Sequence, residues 1–157
     1  QMAKIRQFLN AGKPLVAMRT ASHAFDIKKP GPEGAAQWPE FDADVLGGNY
    51  NNHGPNAAGS DIAPAEGAET HPILKGVEPA RWHSTGSLYF TAPIRDDATL
   101  IQVGRIDDRT EPLTWTRSYG KARVFYTALG HPDDFDQPAF RRLLVNGIFW
   151  AMDRQPE

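Results

Sequence analysis

The run Pro14-Leu-Val-Ala-Met18 contains only apolar side chains, is too short for a helix, and lies between Gly12 and the polar cluster Arg19-Thr-Ala-Ser-His23. A strand apolar at every position is expected to be buried on both faces, as in a sheet covered by layers on either side. Immediately upstream, Met2, Ile5, Phe8 and Leu9 recur at helical spacing, and Gly12 stops that helix. Helix, short turn and buried strand make the rhythm of an α/β fold. Because the chain opens directly in the helix, a strand is expected ahead of residue 1, in a segment cleaved or omitted, together with any targeting signal.

The rest of the chain extends this reading. Residues 26–37 carry Pro30, Gly31, Pro32 and Gly34 and read as a loop, followed by a short helix or turn over 38–46 that Gly47 and Gly48 end. Residues 49–70 form a long excursion with one short strand near Ile62, and residues 71–76 a turn. Segments 86–90 and 98–105 read as strands. Segments 112–117 and 123–129, rich in β-branched and aromatic residues, flank the turn Ser118-Tyr-Gly-Lys121 as a hairpin. The last element is a helix with Asp136 as N-cap, Pro138 in its first turn, and Phe140, Leu143, Leu144, Ile148 and Ala151 as its apolar stripe.

At 157 residues the chain suits one domain spanning 1–157. Its formal charge of -2 gives no electrostatic reason to expect nucleic acid or an anionic membrane. No apolar run approaches the roughly 20 residues of a membrane span. The absence of cysteine removes disulfides, thiolate metal ligands and thiol chemistry. It leaves the compartment open, and an oligomer is compatible with all of this.

Two segments resemble parts of a known superfamily. Gly12-Lys-Pro-Leu-Val-Ala-Met-Arg-Thr-Ala-Ser-His23 is similar to the strand and sharp turn that carry the nucleophilic cysteine of class I glutamine amidotransferases. Arg123-Val-Phe-Tyr-Thr-Ala-Leu-Gly-His-Pro-Asp133 is similar to their later strand ending in His-Pro-Glu. Further segments resemble the ThuA-like branch, associated with trehalose and other sugar utilisation: Leu46-Gly-Gly48, His71-Pro-Ile73, Gly86-Ser-Leu-Tyr89, Pro112-Leu-Thr-Trp115 and Asn146-Gly-Ile-Phe-Trp-Ala151. The resemblance implies a flavodoxin-like three-layer α/β/α sandwich with a mostly parallel sheet plus the C-terminal antiparallel hairpin. It also implies a pocket over the carboxyl ends of the strands, where loops of an open α/β sheet converge. Arg19 stands where the cysteine would be, so glutamine hydrolysis through a thioester has no nucleophile. The motif's acidic residue is shortened to Asp133, and Ser87 stands where some members carry an acidic residue.

Arg19, Thr20, Ser22 and His23 leave one strand and His131 and Asp133 another, so both groups are expected at one rim. His131 and Asp133 suit an acid/base pair; Arg19 offers a fork of donors for carboxylate, phosphate or hydroxyl oxygens. The alternative is that His131 braces a turn to which Asp133 and Asp134 belong. Ser22 beside His23 is discounted as a nucleophile, because adjacent side chains rarely face each other and serine after a strand more often caps a turn. Asn49-Tyr-Asn-Asn-His53 supplies hydrogen-bonding edges around a ring, a mixture that suits a sugar, with Tyr50 and His53 as ligand-binding candidates beside Thr20 and His23. Among the aromatics, Trp38, Tyr50 and Phe135 are the expected platforms. The five histidines show no metal-ligand spacing, although His23, His53 and His131 with Asp133 would suit a divalent metal if they met in space. Three functions follow: a carbohydrate-binding domain acting as a sugar hydrolase or isomerase, a non-catalytic binding or scaffold module, or a metal-dependent hydrolase.

Overall fold

The computed structural model describes residues 1–26 and 34–155, so most of the loop expected over 26–37 lies outside the described residues. The first helix forms as α1 (Met2–Asn10), and Gly12, at φ 75°, turns the chain out of it, a dihedral that side chains with a Cβ disfavour. Then come β1 (Leu15–Met18), β2 (Asn52–His53), β3 (Ser60–Pro64), β4 (Trp82–Ser84), β5 (Tyr89–Phe90), β6 (Thr99–Ile106), β7 (Arg109–Tyr119), β8 (Ala122–Thr127) and α2 (Pro138–Ala151).

Six strands join in the order β1-β8-β7-β6-β3-β4, and β2 pairs separately with β5. β1 and β8 are parallel, while the β8–β7, β7–β6, β6–β3 and β3–β4 pairings are antiparallel. The fold is mixed α/β with a mixed sheet; the mostly parallel sheet expected from the sequence is not what these strands form. The difference arises at Asp107-Asp108, where a second hairpin joins β6 to β7 without any glycine to mark it. Asp107 takes φ 49°, a left-handed conformation that a short polar side chain tolerates better than most.

Burial also differs from expectation. β1 lies at one edge of the sheet and buries only Ala17 fully, whereas β8, flanked by β1 and β7, is the strand buried on both faces. Phe125 of β8 faces α2, where Gly147 lets the helix come close: a Cβ there would sit 2.7 Å from the ring. On the opposite face Tyr126 packs on Trp115, ring centroids 4.5 Å apart. The Trp115 indole donates to the Leu46 carbonyl at 2.7 Å, tying the sheet to a single π-helical turn, Asp42–Leu46, that Gly47 ends at φ 81°. The predicted short helix over 38–46 is this turn. No helix among the described residues is long and apolar enough to cross a membrane.

In α2 the N-cap is Gln137, not Asp136, and Pro138 occupies the first turn as predicted. Ile148, expected in the apolar stripe, is 37% exposed. Asn146 faces inward instead, its amide donating to the carbonyls of Ile73 and Lys75 at 2.8 Å each, so the helix anchors the turn over 71–76 through a buried polar side chain.

Candidate functional site at the β1 and β8 strand ends

The parallel register pairs Met18 with Thr127, so both strands end at one level and Arg19 and Ala128 leave the sheet side by side. Arg19 opens a tight 3-10 turn (Arg19–His23) with φ 46°, a left-handed conformation costing an arginine about 1–2 kcal/mol. Its surroundings hold it there. Tyr126 donates its hydroxyl to the Arg19 carbonyl at 3.0 Å, and Ser22 does the same at 3.2 Å. The guanidinium donates to the Ala128 carbonyl and to Ser87 Oγ, both at 3.2 Å, and lies 4.8 Å from the Tyr89 ring centroid. Burial raises the Tyr126 hydroxyl far above the usual phenol range, so it remains a donor. Ser22 is buried and engaged with the turn, the capping role anticipated for it.

From Arg19 an aromatic array extends to one side. His23 stacks on Tyr50 with centroids 4.5 Å apart and planes at 22°; Tyr89 lies 4.6 Å from Tyr50 and 6.0 Å from His23. His53 stands at the outer end, 6.3 Å from Tyr89, its backbone paired with Tyr89 in the β2–β5 ladder. Ser22 Oγ also lies 3.1 Å from His23 Nδ1, so these adjacent side chains do meet, against the expectation from sequence. Burial raises the phenols of Tyr50 and Tyr89, keeping both rings uncharged. Thr20 is exposed on the turn.

To the other side stands His131. A Cβ on Gly86 would lie 2.8 Å from His131 Cβ and 3.2 Å from Arg19 Nη1, so this glycine is what lets the two residues flank a single point. The expected His131–Asp133 pair is 3.6 Å apart, beyond hydrogen-bond reach. Thr85 bridges it: its hydroxyl donates to Asp133 Oδ2 at 2.8 Å and lies 3.2 Å from His131 Nδ1. His131 Nδ1 also accepts from the Asp133 backbone N–H, at 3.4 Å, so the neutral ring carries its proton on Nε2, and Thr85 gives its own proton to Asp133. His131 is also the N-cap of the 3-10 turn Pro132–Asp136, so part of the structural role weighed from the sequence is present as well.

Asp134, not Asp133, is the buried carboxylate of that turn. It accepts from Ser84 Oγ at 2.5 Å and from the backbone N–H groups of Gly130 and His131 at 2.8 and 2.9 Å, whereas the Asp133 side chain is 61% exposed.

Other expectations change. Trp38 is 3% exposed and packs edge-on against Phe41, which makes it core rather than platform. Phe135 is exposed but turned onto Phe140 at 5.1 Å. Tyr89 is 5% exposed and belongs to the core, from which its ring backs Tyr50, so Tyr50 is the ring of the array that is partly open. Thr85, Ser87, Tyr126 and Asp134 were not singled out as site residues; the segment Gly86-Ser-Leu-Tyr89 was the signal available for Ser87 and Tyr89. His23, His53 and His131 do not meet: among the described residues no three His, Asp or Glu side chains are grouped to hold a metal ion. A groove of about 580 Å³ lies elsewhere, lined by Asp61, Arg81, Trp82 and Arg105 on and beside β3, β4 and β6. It contains none of the residues above, and the His83–Asp61 contact beside it is solvent-exposed. Size alone does not outweigh the converged donors and rings at the strand ends.

Known proteins place the fold. A ThuA-like protein from Parabacteroides merdae superposes with TM-score 0.60 at 20% identity, covering 99% of this chain and 66% of that one. A cytoplasmic protein from Salmonella typhimurium gives TM-score 0.62 at 14% identity, covering 96% and 59%. This chain therefore spans less than two thirds of the length of either. A β-galactosidase from Rahnella sp. R3 gives TM-score 0.55 at 19% identity, covering 99% of this chain and 22% of the enzyme. No curated protein matches the sequence. The sequence profile of the ThuA family, described as trehalose utilisation, matches residues 1–151, and the chain belongs to that family.

Proposed function

We propose that the β1/β8 strand end binds a sugar or keto-sugar, in a domain of carbohydrate utilisation that does not hydrolyse glutamine. The observation that carries this is the single rim on which Arg19, the His23–Tyr50 stack with Tyr89, and the Thr85-bridged His131–Asp133 pair are assembled. A sugar presents hydroxyl edges and an apolar ring face, and this rim offers donors and acceptors beside uncharged aromatic surface. Arg19, Thr20, His23, Tyr50 and His53 orient the ligand; His131 moves the proton, with the Asp133 carboxylate 3.6 Å away to stabilise the imidazolium. Hydrolysis and isomerisation both need such a group. The family description and the β-galactosidase neighbour support the carbohydrate assignment. We assign the domain to the flavodoxin-like three-layer class, a reading supported by the parallel β1–β8 pair and by packing on both sheet faces.

A second reading, a non-catalytic binding module, is favoured by one observation: the β-galactosidase resembles this chain over only a fifth or so of its length. Calorimetric titration with trehalose and a keto-disaccharide, followed by product analysis, separates the two. Tyr50→Ala is expected to weaken binding about tenfold through lost stacking. His131→Ala is expected to bind within about threefold of wild type and to abolish any turnover. Binding without turnover in wild type selects the module reading. Absence of binding, or binding indifferent to Tyr50→Ala, removes the site.

A further inference from the structure

We infer that the sugar taken at this rim carries a carboxylate, seated on Arg19; the inference rests on the ligand-site reading above. An arginine is charged at every accessible pH, and a cation withdrawn from water is stabilised by a counter-ion. The buried Arg117 has one, Asp97 at 2.9 Å, and even the more open Arg109 and Arg123 pair with Glu111 and Asp153 at 2.7 Å each. Arg19 does not. It is half-buried, and its partners are a carbonyl, a hydroxyl and a ring face; among the described residues no carboxylate lies within 4.0 Å of it. Asp133, on the His131 side of the rim, is engaged by Thr85.

The geometry is that of a held donor rather than a structural strut. The Ala128 and Ser87 contacts each take one N–H from a different terminal nitrogen, which fixes the guanidinium plane and leaves the remaining N–H groups for a planar two-oxygen acceptor. The backbone at Arg19 is strained to put the side chain there, and Gly86 is bare where a methyl group would crowd it. One guanidinium matches the single charge of a carboxylate, whereas a phosphate dianion would remain half-compensated. The adjacent, partly exposed Tyr50 ring asks for a ring face on the same ligand. A ligand with both is a uronic or similar sugar acid.

The test is calorimetry with glucuronate, glucose and inorganic phosphate, on wild type, Arg19→Gln and Arg19→Lys, with thermal melts to confirm folding. Wild type is expected to prefer glucuronate over glucose by at least about tenfold, and that preference to fall as salt is raised. Arg19→Gln is expected to lose about tenfold for glucuronate and about threefold for glucose, with Arg19→Lys between Arg19→Gln and wild type. Equal affinity for the two sugars in wild type overturns the inference and leaves the sugar site standing. A preference that survives Arg19→Gln overturns it too, as does phosphate displacing glucuronate at equal concentration. Failure of both sugars to bind removes the ligand-site reading itself, and the inference with it.

Discussion

Asp134→Ala is expected to lower the unfolding free energy by about 3–4 kcal/mol and to release the turn that carries His131. The carboxylate is 1% exposed and accepts from Ser84, Gly130 and His131. Alanine would leave two backbone N–H groups and a buried hydroxyl without their acceptor, and a buried donor left unmatched costs about 1–3 kcal/mol. Asp134→Asn discriminates between lost acceptors and lost charge. One oxygen, Oδ2, takes both backbone bonds, so an asparagine carbonyl can serve them while its amide faces Ser84 Oγ, which already accepts from Gly86. That variant is expected to cost about 1 kcal/mol. Urea unfolding of the three proteins measures this. Equal losses for alanine and asparagine would mean that charge, not the acceptor geometry, secures the turn.

Asp42→Asn is expected to act in the opposite direction, stabilising the protein by about 1–2 kcal/mol at about pH 8. Asp42 is 9% exposed; Oδ2 accepts from the Tyr50 N–H at 2.7 Å, while Oδ1 has no partner and faces Gly48 and Trp115. Burial pushes its carboxyl from 3.8 up to about 6, with the Tyr50 hydrogen bond pulling the other way. A raised folded-state value means that the native protein holds the proton more tightly than the unfolded chain. The contribution is therefore complete below 3.8 and lost as pH rises through about 6. Asparagine keeps the acceptor for Tyr50 without the ionisation, less the cost of an amide N–H in the unpartnered position. The stability gap between variant and wild type should open between about pH 4 and pH 6 and stay flat above. His71, lowered by burial, runs the other way: its contribution is present above 6.5 and lost as pH falls. Both proteins carry it, so the difference isolates Asp42. A gap that does not change with pH would refute a buried, protonatable Asp42.

The parts of this molecule that could be read from its sequence are those in which local pattern and burial coincide. β1, β8 and the hairpin before β8 are marked by apolar and β-branched runs, and their strand ends carry Arg19 and His131, so the shared rim followed from order alone. The antiparallel majority of the sheet was hidden. β4 is three residues long, and β7 begins with Arg109-Thr-Glu111, ahead of the strand expected from residue 112. Glu111 is nonetheless buried, because Arg109 and the N–H groups of Thr91 and Ala92 satisfy it. At His131-Pro-Asp-Asp134 two neighbouring acids offer the same chemistry, and only the tertiary contact with Ser84 decides which one turns inward. Trp38 left the list of platforms for a similar reason: an aromatic residue's partner is set by long-range packing, here by Phe41.

The location of the site can be tested without assuming a reaction. A crystal structure of the protein with saturating trehalose is expected to show the sugar at the β1/β8 strand ends, within hydrogen-bond reach of Arg19 and His131, with a ring face toward Tyr50 or Tyr89. Sugar bound instead in the groove of Asp61, Trp82 and Arg105, or a strand-end rim that stays empty at saturation, would contradict it.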